Sequence, residues 1–351
     1  MRSLNSRAES AIQVDSPGLI RELTDIFRLF FDAEPISFKT INTSRGDEDF
    51  REAVAAETAA GEKIMIKLTD NDFTFPEKID MWRRTVEEYR GLGYYCPKII
   101  PDKAGNYPSV FYKGRSCVAY AEEYSPYRAA DSFEGVNAAE YMREAWIMTA
   151  KIASEHLAYT EYPSGYCLFE TFCPSDKTDE VLENALEWEK YARTLPDELQ
   201  PRLQKIWELW TENRKALERI YGDLPTSVFQ ADLNSSNILL DEDGKFIGVM
   251  DFNLCGKEVF LNYLFRETHT DGYQKELNAI FNTLKIVSEY YRFSESEKSA
   301  ALLLYRCLKP LWSNKLEKLK GLGDDIPAIR SYLDETENSL AADIDFTIYM
   351  N

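Results

Sequence analysis

The segment at 226–252, TSVFQADLNSSNILLDEDGKFIGVMDF, constrains this chain more than any other. Its two apolar runs, ILL and KFIGVM, flank a turn at Asp243-Gly244 and read as a β-hairpin. The hairpin is an island: the segments near 137–158, 178–193, 198–221, 272–291 and 295–310 carry apolar residues at helical spacing. Asp232 and Asn237 stand before its first strand and Asp251 closes its second, so pairing brings Asn237 and Asp251 near each other.

The first half has a different texture. Pro17 opens a pattern with Leu19, Ile20, Leu23, Ile26 and Phe27 on one face, which predicts a helix of about four turns. ISFKTI, FREAVAAE and KIMIKL follow as strands, with SRGDED and TAAGE as their turns. Pro76 starts a second helix, with Ile79, Trp82, Val86 and Tyr89 at spacings of three and four before Gly91 and Gly93 stop it. SVFYKG and SCVAYAEEY complete a series of helix, three strands, helix and two strands. In the third strand Ile64, Ile66 and Leu68 alternate with Lys63, Met65 and Lys67, which turns Lys67 away from the aliphatic face.

A chain of 351 residues exceeds one ordinary core and has room for two lobes. The expected division is a helical extension over 1–33, a small lobe over 34–124 and a larger, mostly helical lobe over 125–351. The formal charge of −19, from 60 acidic against 41 basic residues, argues against nucleic acid as a partner. It would draw a cationic small molecule toward an acidic cleft, although many proteins are acidic simply to stay soluble. Cysteines at 96, 117, 167, 173, 255 and 307 form no CxxC pair, and His156 and His269 are the only histidines, which disfavours a zinc site or a disulfide framework. No apolar run reaches membrane-spanning length, so a reduced, cytoplasmic location is the default. Oligomeric state is not legible.

Two carboxylates and an amide at the ends of paired strands suit phosphoryl transfer, in which one carboxylate orients a hydroxyl and further oxygens hold Mg²⁺ on nucleotide phosphates. Here the chain resembles the aminoglycoside phosphotransferase and choline kinase group of the protein-kinase-like fold. Its motif H-G-D-L-x-x-x-N, followed by I-D-[FW], stands here as Gln230-Ala231-Asp232-Leu233-Asn234-Ser235-Ser236-Asn237 and Met250-Asp251-Phe252. The resemblance implies an α+β fold whose N-terminal lobe has a five-stranded antiparallel sheet and one main helix. It implies ATP and Mg²⁺ as cofactors, Asp232 as catalytic base, and Asn237 and Asp251 as metal ligands. It also implies a phosphate-binding lysine, Lys67 with Lys63 in reserve; a phosphate loop over 43–46 that includes Ser44 and Gly46; and an adenine-binding hinge over 121–124 that includes Glu123 and Tyr124.

Three departures stand out. The glutamate that normally pairs with the lysine falls near Trp82 or Arg83, leaving Glu77 or Glu87 as substitutes. Gln230 replaces the usual histidine, a supporting role that an amide able to donate and accept can fill. Asn253 could add a polar contact near the metal, but reads first as a cap for the next segment. His156 reads as packing or capping, His269 lies in a polar stretch, and Trp188, Trp207 and Trp210 read as core. The expected activity is transfer of the γ-phosphate of Mg-ATP to a hydroxyl of a small, possibly cationic molecule. The alternative is a nucleotide-binding regulator without transfer activity.

Overall fold

The computed structural model describes residues 11–46, 48–268, 270 and 272–351. The expectations for His269 and for the first ten residues lie outside them. Strand β1 (Ile12–Gln13) leads into helix α1 (Pro17–Phe30), then β2 (Pro35–Asn42), β3 (Phe50–Thr58), β4 (Lys63–Asp70) and helix α2 (Pro76–Gly91). Strands β5 (Ile99–Ile100), β6 (Ser109–Tyr112) and β7 (Arg115–Glu123) complete an antiparallel sheet in the order β1-β2-β3-β4-β7-β5, with β6 also on β7. The sheet has seven strands where five were expected. The two additions, β1 and β5, are two residues long, too short to leave a period-two signature.

The sheet's faces are divided by residue parity. Val54 and Ala56 of β3, Ile66 and Leu68 of β4, and Cys117, Ala119 and Ala121 of β7 form one core with Leu23, Ile26, Phe27 and Phe30 of α1. Each fully buried leucine, isoleucine or phenylalanine contributes about 1.5–3 kcal/mol, so this helix is fixed by its apolar stripe. Lys67 pairs with Ala53 and Tyr120 in the ladders and takes the other face.

A short strand β8 (Arg128–Ala129) and helix α3 (Ala138–Ser154) precede the helical series α4 (Glu180–Ala192) and α5 (Gln200–Tyr221). Then come β9 (Thr226–Phe229), the expected hairpin of β10 (Ile238–Leu240) and β11 (Phe246–Val249), and β12 (Gly256–Val259), which pairs with β9. Helices α6 (Phe260–Glu267), α7 (Tyr273–Val287), α8 (Glu295–Leu308), α9 (Ser313–Gly321) and α10 (Ile326–Ala341) finish the chain. Trp188 and Trp210 are buried as expected, their indole N–H groups donating to Tyr332 Oη (3.1 Å) and the Cys307 carbonyl (3.0 Å). His156 ends α3 in a left-handed conformation, φ +46°. None of the six cysteines is joined in a disulfide.

Contacts divide the chain into two compact units that do not follow the contiguous division at residue 124. The first unit comprises 1–145, 173–175 and 230–256, and the second comprises 146–172, 176–229 and 257–351. The hairpin therefore groups with the sheet. A backbone splice after α2 joins them: Tyr95 N–H donates to the Ile247 carbonyl (3.0 Å) and accepts at its own carbonyl from Val249 N–H (3.1 Å). Gly248 permits that approach, because a Cβ there would lie 1.9 Å from the Tyr95 carbonyl oxygen.

Candidate active site

Gln230 organises the loops that flank the hairpin. Its side-chain carbonyl accepts from the Asp232 N–H (2.8 Å), while its amide nitrogen donates to the carbonyls of Met250 and Asp251 (2.9 Å each). The Gln230 N–H donates in turn to Tyr89 Oη (3.1 Å) from α2. One amide thus ties the loop before β10 to the loop after β11, the supporting role expected of it. Ala231 and Asp251 both hold φ +62°, a left-handed conformation costly for a residue with a Cβ. Such strain persists only where its surroundings over-determine it, which the Gln230 bonds do.

Asp232 is largely buried and accepts at one carboxylate oxygen from the Asn234 side-chain amide. Burial raises its pKa above the ordinary aspartate value; the Asn234 bond opposes this, the Asp251 charge adds to it and Arg45 again opposes it. The Asn237 amide nitrogen donates to the Asp232 carbonyl (3.1 Å), and its backbone is held by Asn234 (2.8 Å) and Met250 (2.9 Å). With that nitrogen engaged, the amide oxygen is the atom of Asn237 able to serve a cation.

Lys67, Asp232, Asn237 and Asp251 line one pocket, together with Arg45, Arg51 and Tyr120. Asn253 lines it too, a position from which it can make a polar contact in the pocket. Ser44 and Gly46 are not among the lining residues. The Ser44 hydroxyl closes the β2–β3 turn, accepting from Arg51 N–H (3.0 Å) and donating to the Arg51 carbonyl (3.2 Å). Glu123 and Tyr124 also fall outside the lining. The Glu123 carboxylate meets Arg90 (3.3 Å) and its N–H bonds the Lys98 carbonyl (2.9 Å), while Tyr124 lies under the Lys63 ammonium (5.7 Å). That contact also takes Lys63, the reserve lysine, elsewhere.

Neither substitute glutamate reaches Lys67. Glu77 is exposed and Glu87 pairs with Arg83 (2.6 Å), while Trp82 is buried with its ring edge against Tyr120 (6.1 Å between centroids). Lys67 Nζ instead lies 3.5 Å from a Glu122 carboxylate oxygen. The sequence reading included Arg45 in the phosphate loop and Glu122 in the hinge, but passed over Arg51 and the pairing of Glu122 with Lys67. Strand parity was an available signal, since Arg51, Lys67, Tyr120 and Glu122 occupy one sheet face by register.

The donor set suits a magnesium nucleotide. Arg51 donates to Asp49 (2.7 Å), but its Nε and the Thr69 hydroxyl are buried in the pocket wall without a hydrogen-bond partner among the described residues. Buried donors of this kind suit phosphate oxygens. Asp251 and Asn237 offer hard oxygen ligands. No group of three or more His, Cys, Asp or Glu forms a metal cluster among the described residues. Mg²⁺ does not need one, since it keeps waters and takes one or two carboxylates plus substrate phosphates.

The protein-kinase-like fold is what this sheet and hairpin define. Residues 76–260 match the model of the phosphotransferase enzyme family, and the chain belongs to that family. The fold is similar to that of the microcompartment-associated aminopropanol kinase, with TM-score 0.55 and 14% identity over 92% of this chain and 95% of that one. It is also similar to an amicoumacin kinase in complex with AMP-PNP, Ca²⁺ and amicoumacin, with TM-score 0.51 and 12% identity over 93% and 96%. No curated protein sequence matches the chain. Among the described residues no helix is long and apolar enough to cross a membrane.

Proposed function

We propose that this protein transfers the γ-phosphoryl group of Mg-ATP to a hydroxyl of a small molecule. The observation that carries the reading is the convergence of Lys67 from β4 with Asp232, Asn237 and Asp251 from the hairpin segment on one pocket. Bound Mg-ATP supplies the transferable group and a cation that neutralises charge on its oxygens. Lys67, the Arg51 Nε and Arg45 would hold the phosphate oxygens, and the Asn237 amide oxygen and Asp251 carboxylate would hold the cation. Asp232 orients the acceptor hydroxyl and takes its proton at a carboxylate oxygen. Burial makes that carboxylate a stronger base than an exposed aspartate. The rate gain is one of alignment and electrostatics, with no covalent enzyme intermediate.

The acceptor is a cationic alcohol in this reading. The charge of −19 supports it, as does the fold's similarity to a kinase named for aminopropanol, an alcohol that carries an amine. Six cysteines outside any disulfide support a reducing, cytoplasmic setting. The test is ADP formation by the purified protein with ATP, Mg²⁺ and a panel of amino alcohols, aminoglycosides, sugars and modified nucleosides. Hydroxyl-dependent turnover, abolished by Asp232→Asn with nucleotide binding retained, is expected. Nucleotide binding with no transfer to any acceptor would favour the silent regulator; full turnover by Asp232→Asn would reject the assignment of the base.

A further inference from the structure

A lysine that grips phosphate oxygens must itself be held, because its four-carbon stem is flexible and an unrestrained ammonium loses rotamer entropy on binding. The resemblance assigns that task to a helix glutamate. In this structure α2 presents Trp82 there, buried against Tyr120, and its candidate acids are exposed or paired with Arg83. The carboxylate near the lysine comes from the sheet. In the β4–β7 ladder Lys67 faces Tyr120 and Met65 faces Glu122, so Lys67 and Glu122 are diagonal neighbours on one face. Their charged atoms are 3.5 Å apart, and both side chains are mostly buried, 19% and 16% exposed.

We propose that Glu122 is the positioning residue of Lys67, so that the lysine is anchored within the sheet by an adjacent strand rather than by helix α2. The proposal rests on the reading of Lys67 as the phosphate-binding lysine. Glu122 is not itself among the pocket-lining residues, but two further observations tie it to them. Burial raises the Glu122 pKa above the ordinary glutamate value, the Lys67 charge and hydrogen bond oppose this, and the Asp251 charge adds to it. The Glu122 backbone lies in the ladder between Met65 of β4 and Ile99 of β5, which leaves its side chain little freedom to drift. A helix-borne glutamate leaves the lysine whenever the helix shifts. A strand-borne one stays in register with it, so the phosphate grip is set before any nucleotide binds.

The experiment is a double-mutant cycle on the full chain with Glu122→Gln, Lys67→Met and the double variant, read as nucleotide Kd by calorimetry and as kcat/KM for ATP. Glu122→Gln keeps the side-chain shape and removes the charge. It is expected to lower kcat/KM for ATP about tenfold, the scale of one charge-assisted bond, with the acceptor KM unchanged. Glu122→Asp, which keeps the charge on a shorter stem, recovers part of the loss. In the Lys67→Met background Glu122→Gln is expected to cost nothing further, because its effect runs through the lysine. Equal losses from Glu122→Gln with and without Lys67, or none in the otherwise native chain, overturn the proposal. If Lys67→Met itself leaves nucleotide binding and turnover intact, the functional reading of the pocket fails instead.

Discussion

Gln230→Glu changes one atom and little shape, yet it should cost more than most surface truncations. The native amide donates twice, to the carbonyls of Met250 and Asp251, and accepts once, from Asp232 N–H. A carboxylate keeps the acceptance but loses both donations and sets negative charge against two carbonyl oxygens. At about 1 kcal/mol for each lost bond, and about 1 kcal/mol more for charge in a fully buried site, the loss is about 3 kcal/mol. The pH dependence has a definite sign. Burial among carbonyls raises the folded-state pKa of the new glutamate, so the penalty is smallest below its unfolded pKa of about 4.3, where the neutral acid can still donate once, and grows as pH rises. The same bonds fix Ala231 and Asp251 in left-handed backbone, so kcat should fall about a hundredfold as Asp232 and Asp251 lose alignment. Urea unfolding at pH 5 and pH 8 with steady-state ADP release measures both effects. A variant as stable at pH 8 as at pH 5 with native kcat would refute the idea that this amide holds the two loops.

Asp232→Asn should be more stable than the parent at pH 8, because the raised pKa means that folding disfavours the charged carboxylate. The gain should vanish below about pH 4, where Asp232 is protonated in both states, and thermal melts across pH measure it. Arg45→Ala removes a charge that holds the Asp232 pKa down, so the acid limb of the kcat/KM profile should move to higher pH; an unmoved limb would detach Arg45 from the base. Gly248→Ala forces a Cβ into the Tyr95 backbone and should cost about 3 kcal/mol in denaturant unfolding, whereas Gly222→Ala, which meets no atom within 4 Å, should change little.

The parts of the fold with strong periods were legible. Helices α1, α2, α5 and α8 and strands β2, β3, β4 and β7 appear where apolar spacing and Pro or Gly boundaries put them. The two-residue strands β1, β5 and β8 were not, since a ladder that short is made by its partner and leaves no pattern of its own. Helices α6, α9 and α10 were also passed over. In α6, burial of nearly every residue erases the polar face by which an amphipathic helix is recognised. Among site residues, Asp232, Asn237, Asp251 and Lys67 were legible because hairpin chemistry and strand parity fix their directions. Glu122 was not, because its partnership depends on the β4–β7 register, and β4 and β7 are separated by a helix and two short strands.

The splice between Tyr95 and Gly248 bears on how the chain must be made. The sheet-bearing unit is interrupted in sequence: its last piece, 230–256, is synthesised only after helices α3, α4 and α5. Until then the Tyr95 backbone lacks its two partners on β11, and Cys96, which ends up fully buried, waits without cover. A nascent chain or fragment ending near residue 145 would thus carry a nearly finished sheet with an open seam, the kind of edge that invites aggregation during synthesis. Truncations meant to isolate a nucleotide-binding half should therefore be soluble only when the hairpin is supplied, in the same chain or as a separate segment.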